Sequence, residues 1–268
     1  MQPVTIVLPA APLRTWVSGY WFVRDDTGAH ASHPVHTSPL PFAVLSVNFG
    51  IPNRSDDGAP VPRASLLGVQ ARVRRWDPSA QTFFVMAMLT LPGLARLFPH
   101  AGASAGALLE LGAVLGDRDA GALADSLASA DSIACALDRW LLARADAIDP
   151  PHRHAELAHA HSLLRDGHGV DAAARAVGVD RRQLGRWFER HLGVAPRTVI
   201  ELERLHASLV ATQRRCGDAR QGFADQAHQI RSWQRRLRTT PGAYARGGGS
   251  VLARTVVGQD ALAPAFYL

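Results

Sequence analysis

Two stretches in the last third of this 268-residue chain are versions of one pattern. Gly178 to Pro196 reads G-V-D-R-R-Q-L-G-R-W-F-E-R-H-L-G-V-A-P, and Gly222 to Pro241 reads G-F-A-D-Q-A-H-Q-I-R-S-W-Q-R-R-L-R-T-T-P. A shift of 45 positions lays Arg186 on Arg231, Phe188 on Trp233, Arg190 on Arg235, Leu192 on Leu237 and Pro196 on Pro241. A unit repeated in this way is a single supersecondary element used twice. Each copy reads as a tight turn followed by a helix with one apolar and one polar face, the layout of a helix-turn-helix.

The charge is distributed to match. Residues 1 to 150 carry 11 arginines and 13 acids, a net of 11 − 13 = −2. Residues 151 to 268 carry 18 arginines and 10 acids, a net of 18 − 10 = +8. The chain has no lysine, but Arg-rich codon usage alone would not segregate the charge, so the basic half points to a polyanion. Two cysteines, Cys135 and Cys216, form no C-x-x-C pair and fit a reducing compartment. No basic, apolar leader opens the sequence and no apolar run reaches spanning length, which predicts a cytoplasmic protein without a membrane partner.

The organisation predicted is α+β: a β-rich, barrel-like domain with closing helices, then an all-α domain with two helix-turn-helix motifs. From Leu13 to Leu97 the pattern is strand-like, with runs at residues 41–50, 65–70 and 82–89 and a loop from Asn53 to Pro62. From Gly106 the period becomes helical, through Leu123, Leu127, Ile133, Leu137, Trp140 and Leu141. Asp149-Pro150-Pro151 breaks the chain, giving domains at 1–148 and 152–246 and a flexible tail, or a loosely docked one, at 247–268. In the second domain a helix spans His154 to Arg165 and ends at Asp166-Gly167. Asp171 is expected to N-cap a helix over Ala172 to Val177, and Asp180 one over Arg181 to Leu192 that Gly193 closes. Pro196 opens a helix to about Ala211. On the Arg181 helix, Leu184, Trp187, Phe188 and Leu192 share a face, while Arg182, Arg186 and Arg190 lie away from it.

Gly178 to Pro196 and Gly222 to Tyr244, with D-A-A-A-R-A-V at Asp171 to Val177, resemble the AraC/XylS family of bacterial transcription regulators. The G-F-A-D-Q-A-H segment, Arg231 and T-P-x-x-Y at Thr240 to Tyr244 carry the second-motif signature. The resemblance covers residues 155 to 246 well. Residues 13 to 147 resemble more loosely the sensor domain of one AraC subgroup, through Tyr20-Trp21, Leu45 to Gly50 and Leu109 to Gly116. The resemblance implies a regulator, not an enzyme, that binds double-stranded DNA through two recognition helices in neighbouring major-groove segments. It implies a small-molecule effector and a homodimer as partners of the first domain, and no cofactor. Carried over by position, the base-reading places are Arg182, Gly185 and Arg186, then Gln226, Ala227, His228 and Arg231. Gly185 and Ala227 have no side chain to read with, so specificity should rest on Arg182, Arg186, Gln226, His228 and Arg231. Arginine can pair in bidentate fashion with guanine and glutamine with adenine. Arg181, Arg190, Arg197 and Arg235 fall to phosphate contacts, which position without selecting.

The chain also departs from the family pattern. About four residues are missing between Arg204 and Gly222. Gly217 falls where an apolar-patterned helix should lead into the second motif, and Gln229 stands where an aromatic usually packs. That leading helix is therefore expected to be short or frayed, and the first motif to contribute most of the specific binding. His30, His33 and His36 at H-x-x-H-x-x-H spacing raise the rival reading of a metal-dependent enzyme on the β domain. However, this spacing does not keep one face of a strand, and Pro34 interrupts it. His152, His154, His159 and His161 read as a solvated linker and helix start. Cys135 is expected to be buried and Cys216 exposed, with no partner that would make either a nucleophile. A third reading is a protein-interaction regulator with weakened DNA binding.

Overall fold

A computed structural model describes residues 4–29, 31, 33–99, 101–247, 250 and 267–268. The first half is built on antiparallel strands. These are β1 (Val4–Val7), β2 (Val17–Asp25), β3 (Val35–Thr37), β4 (Phe42–Asn48), β5 (Arg54–Ser55), β6 (Ala64–Leu67), β7 (Arg74–Asp77), β8 (Thr82–Thr90) and β9 (Leu108–Glu110). A six-stranded sheet runs β1-β2-β8-β4-β6-β9, and a three-stranded sheet runs β3-β7-β5. β-Branched and aromatic residues fill the long central strands β2, β4 and β8, where a pleated surface suits them. The sheets stay open among the described residues: β1 and β9 form the two edges of the larger one. The barrel-like expectation is therefore corrected to a pair of open sheets. The loop expected at Asn53 to Pro62 also contains the short β5.

Helices α1 (Leu91–Leu97), α2 (Leu111–Leu115), α3 (Asp117–Ala128) and α4 (Ile133–Ala147) close this half. Leu123, Leu127, Leu137 and Leu141 are all buried, as their spacing requires. Cys135 is exposed, contrary to expectation. It lies in the first turn of α4, one position from Ala136 and so off the face that Ala136 and Leu137 turn inward.

The second half holds α5 (His154–Arg165), α6 (Val170–Ala176), α7 (Arg181–Leu192), α8 (Pro196–Arg214), α9 (Gln226–Leu237) and α10 (Pro241–Gly247). One apolar cluster is continuous from Leu13 in the first half to Leu202 on α8, crossing the Asp149-Pro150-Pro151 break. Thus α5 to α7 share a core with the sheet domain. The second motif has a small core of its own, made by Leu205, Leu209, Trp233 and Leu237. At the end of the tail, Tyr267 is buried against the sheets and Leu268 packs on the second-motif core, so both are docked. Residues 251–266 of that tail lie outside the described ones, as does His30.

Candidate nucleic-acid interface

The first motif is a complete helix-turn-helix. The run V-D-A-A-A-R-A favours helix, and α6 starts after the extended Gly169. Asp171 does not cap it, as expected from sequence, but lies in its first turn, where a carboxylate suits the positive end of the helix dipole. Gly178 makes the turn with φ 71°, a conformation that favours glycine. Asp180 caps α7, its carboxylate accepting the Gln183 N–H at 2.7 Å. Gly193 ends the helix in the left-handed region at φ 69°. Leu184, Phe188 and Leu192 are fully buried, while Trp187 is only half-buried, with the Arg153 guanidinium over its ring at 5.3 Å. Arg182, Arg186 and Arg190 are exposed on the other side, a cationic stripe one helical turn apart. The Arg186 guanidinium reaches Gln183 Oε1 at 3.4 Å, and Arg181 sits 3.7 Å from Asp171.

The second motif lacks half of the unit. α8 runs three residues beyond its expected end and stops at Arg215, left-handed at φ 51°. No helix forms between residues 215 and 225; the chain makes turns and bends there. The leading helix expected to be short or frayed is absent. A buried polar network holds this segment instead. The Ser208 hydroxyl donates to the Ala219 carbonyl at 2.5 Å. Gln229 Nε2 donates to the same carbonyl at 2.6 Å and to Ser208 Oγ at 3.0 Å, and Trp233 Nε1 donates to Ser208 Oγ at 3.0 Å. Gln229 thus binds backbone where an aromatic would have packed against a helix.

Asp225 caps α9 by accepting the His228 N–H at 2.6 Å. His228 turns back on the cap: its Nδ1 accepts the Ala224 N–H at 3.4 Å, and its ring meets Phe223 edge-on at 5.5 Å. This local commitment makes His228 the least available of the five candidate base readers. Gln226, Arg231 and Arg235 are exposed, and Trp233 and Leu237 are buried. Tyr244 on α10 packs its ring 5.8 Å from Trp233, which accounts for the T-P-x-x-Y stretch.

Glu201 on α8 gathers three arginines. Arg197 approaches it at 3.5 Å and Arg235 at 3.1 Å, and Arg236 bonds it directly. Burial pushes the Glu201 carboxyl up, but the Arg236 hydrogen bond and the three positive charges outweigh this and hold it below its usual range. Two of the four proposed phosphate contacts, Arg197 and Arg235, therefore converge on one carboxylate. Arg236 was not singled out from sequence, yet it is buried, and its Nη1 donates to the Ala71 carbonyl of the sheet domain at 2.8 Å. Its spacing from Gln229, Ser232 and Trp233 puts it on the inward face of α9.

Helices α7 and α9 both dock on the sheet domain by their C-terminal ends. For α9 the contacts are Arg236 with Ala71, and the Val73 N–H donating to the Arg236 carbonyl at 2.8 Å. For α7 the contact is with the 3-10 turn Ala101–Ser104. There Gly102 and Gly193 approach so closely that a Cβ on Gly102 would overlap the Arg190 carbonyl, and one on Gly193 the Gly102 carbonyl. The exposed arginine faces are left uncovered by these contacts.

The sheet domain holds a cavity between its two sheets, lined by Val23, Val44, Leu67, Trp76, Met86 and Tyr267 among others. Among the described residues no three His, Cys, Asp or Glu side chains gather as a metal site, and no helix is long and apolar enough to cross a membrane.

No family model and no curated protein matches this chain. Among solved structures it is similar to AraC-type regulators. ToxT from Vibrio cholerae O395 aligns at 10% identity over 92% of this chain and 98% of that one, with a TM-score of 0.44. Unsaturated fatty acid bound ToxT from strain SCE256 aligns at 11% identity over 84% and 93%, with a TM-score of 0.43. The AraC-like transcriptional activator CuxR aligns at 14% identity over 76% and 86%, with a TM-score of 0.28. A likeness this loose assigns neither ligand nor contacts.

Proposed function

We propose that this chain is a sequence-specific, double-stranded DNA-binding transcription regulator of AraC type that acts in the cytoplasm. The observation that carries the reading is α7: a capped, rigidly seated helix in a complete helix-turn-helix, with Arg182, Arg186 and Arg190 in a row on its exposed face. Arg182 and Arg186 read base edges, with Gln226 and Arg231 of α9 adding to them, and His228 contributes least. Arg181, Arg190, Arg197 and Arg235 bind phosphate; Arg197 and Arg235 exchange Glu201 for phosphate oxygens as DNA arrives. The absent leading helix of the second motif supports assigning most of the discrimination to α7. The cavity between the sheets is the natural seat for a small effector, which acts by binding two arrangements of the molecule with different affinity.

Selection of bound duplexes from a random library tests this. One enriched site is expected, with its most constrained positions at the α7 half. Four phosphate contacts imply a loss of about two orders of magnitude in affinity between about 50 and 200 mM salt. Binding with no enriched sequence and little salt dependence would favour the interaction-regulator reading.

A further inference from the structure

Residues 267 and 268 join two cores that are otherwise separate. Tyr267 belongs to the apolar cluster of Val4, Trp21, Val44, Leu67 and Met88 in the sheet domain. Its ring stands 5.9 Å from Trp21 and forms part of the cavity wall. Leu268 packs on the other cluster, that of Leu205, Leu209, Trp233 and Leu237. Backbone bonds fix both residues: Tyr267 bridges Thr37 on β3, and the Leu268 N–H donates to the His36 carbonyl at 3.0 Å. From the other side, Gln213 Nε2 at the end of α8 donates to the Tyr267 carbonyl at 3.2 Å and to the Tyr244 hydroxyl at 2.8 Å.

We propose that Tyr267–Leu268 is an intramolecular staple that couples occupancy of the sheet-domain cavity to the placement of α9 and α10. Tyr267 forms one wall of the cavity, and a neutral, apolar, phenol-like molecule that takes the place of its ring breaks the bridge to β3 and frees Leu268. The neutrality follows from the lining. Asp25 is already satisfied by the N–H groups of Thr27, Gly28 and Ala29. Arg24 is paired with Asp26 and lies over Phe83. Asn48 donates to the Pro62 carbonyl and Thr37 accepts from Trp76. Ser46 is paired with Ser65 and Asn53 accepts from the Ser79 N–H. The charges at the cavity are thus spoken for, and apart from the Thr82 hydroxyl its remaining wall is aliphatic and aromatic. The first motif shares the sheet-domain core and is not held by the staple, so release moves the second motif relative to the first. This inference rests on the effector reading of the sheet domain.

Amide hydrogen exchange on the full chain, without DNA, tests it with Tyr267→Ala, Leu268→Ala and 4-methylphenol as the probe. Both variants are expected to speed exchange in α9 and α10 about tenfold while α7 is unchanged. Adding 4-methylphenol to Tyr267→Ala is expected to slow exchange in β4 and β8 without restoring α9. Unchanged α9 protection in Leu268→Ala overturns the staple, and so does recovery of α9 by the free phenol. Leu268→Ala leaves the cavity wall intact and keeps the test meaningful if Tyr267→Ala misfolds. If α9 responds as expected but the protein selects no DNA, the staple stands and the regulator reading fails.

Discussion

Gln229 shows how one side chain can replace a helix. Its amide, with Ser208, ties the Ala219 carbonyl into the core, so residues 215–225 stay placed without a helix of their own. Removing it leaves buried polar partners short of a donor. Gln229→Ala should therefore cost about 1–3 kcal/mol in denaturant unfolding, whereas an unchanged midpoint would mean that the segment is held otherwise. His206 on α8 makes a second residue-scale case. Its ring meets Phe42 of β4 edge-on at 6.0 Å, and its buried Nε2 has no hydrogen-bond partner among the described residues. Burial holds its pKa below the usual value, with Arg214 adding to the effect and Glu203 opposing it. The unfolded chain therefore takes up this proton first as pH falls. Stability is full above about pH 6.5, the ordinary histidine value, and declines as pH drops through it towards the lowered folded value. Thermal melting should lose less between about pH 7.5 and 5.5 in His206→Leu than in the parent chain; equal losses would place the acid sensitivity elsewhere. Sequence marked neither residue's partners, because both act through contacts distant in the chain.

At the scale of elements, the two motifs differ in what seats them. α7 has a cap, a left-handed stop and a core shared with the sheet domain, and its limits were legible because Asp180 and Gly193 act locally. Asp180→Ala should destabilise the helix by about 1 kcal/mol in thermal unfolding. Asp171 was misread as a cap because a carboxylate in a first turn and one at an N-cap look alike in sequence. The missing helix before α9 was legible in part: Gly217 and the shortened spacing signalled weakness, while the compensating Ser208 network involves residues with no local pattern. Arg186→Ala should cost about 1–3 kcal/mol in binding to a selected site, and Arg231→Ala less. A larger loss at Arg231 would assign the leading role to α9.

Across the whole molecule, the helical second half and the sheet domain are not strung as independent beads. The sheet core runs into α7, and the ends of α7 and α9 rest on Gly102 and on Ala71 and Val73. The sequence's Pro-rich break suggested two units because composition registers linkers and not shared cores, and the tail's glycines hid the docking of Tyr267 and Leu268. Gly102→Ala should push the end of α7 off the sheet domain, seen as faster amide exchange in α7 with α9 unaffected; unchanged exchange would mean that this approach is not what seats the helix. In the proposed function, the exposed arginines of α7 read DNA. The most direct test of this is equilibrium binding of the parent chain and Arg186→Ala to a selected duplex and to a scrambled one at moderate salt. The parent is expected to prefer the selected duplex, and Arg186→Ala to lose about tenfold or more on it with little change on the scrambled one. Equal binding of both duplexes by the parent, or a variant that discriminates as well as the parent, would contradict that reading.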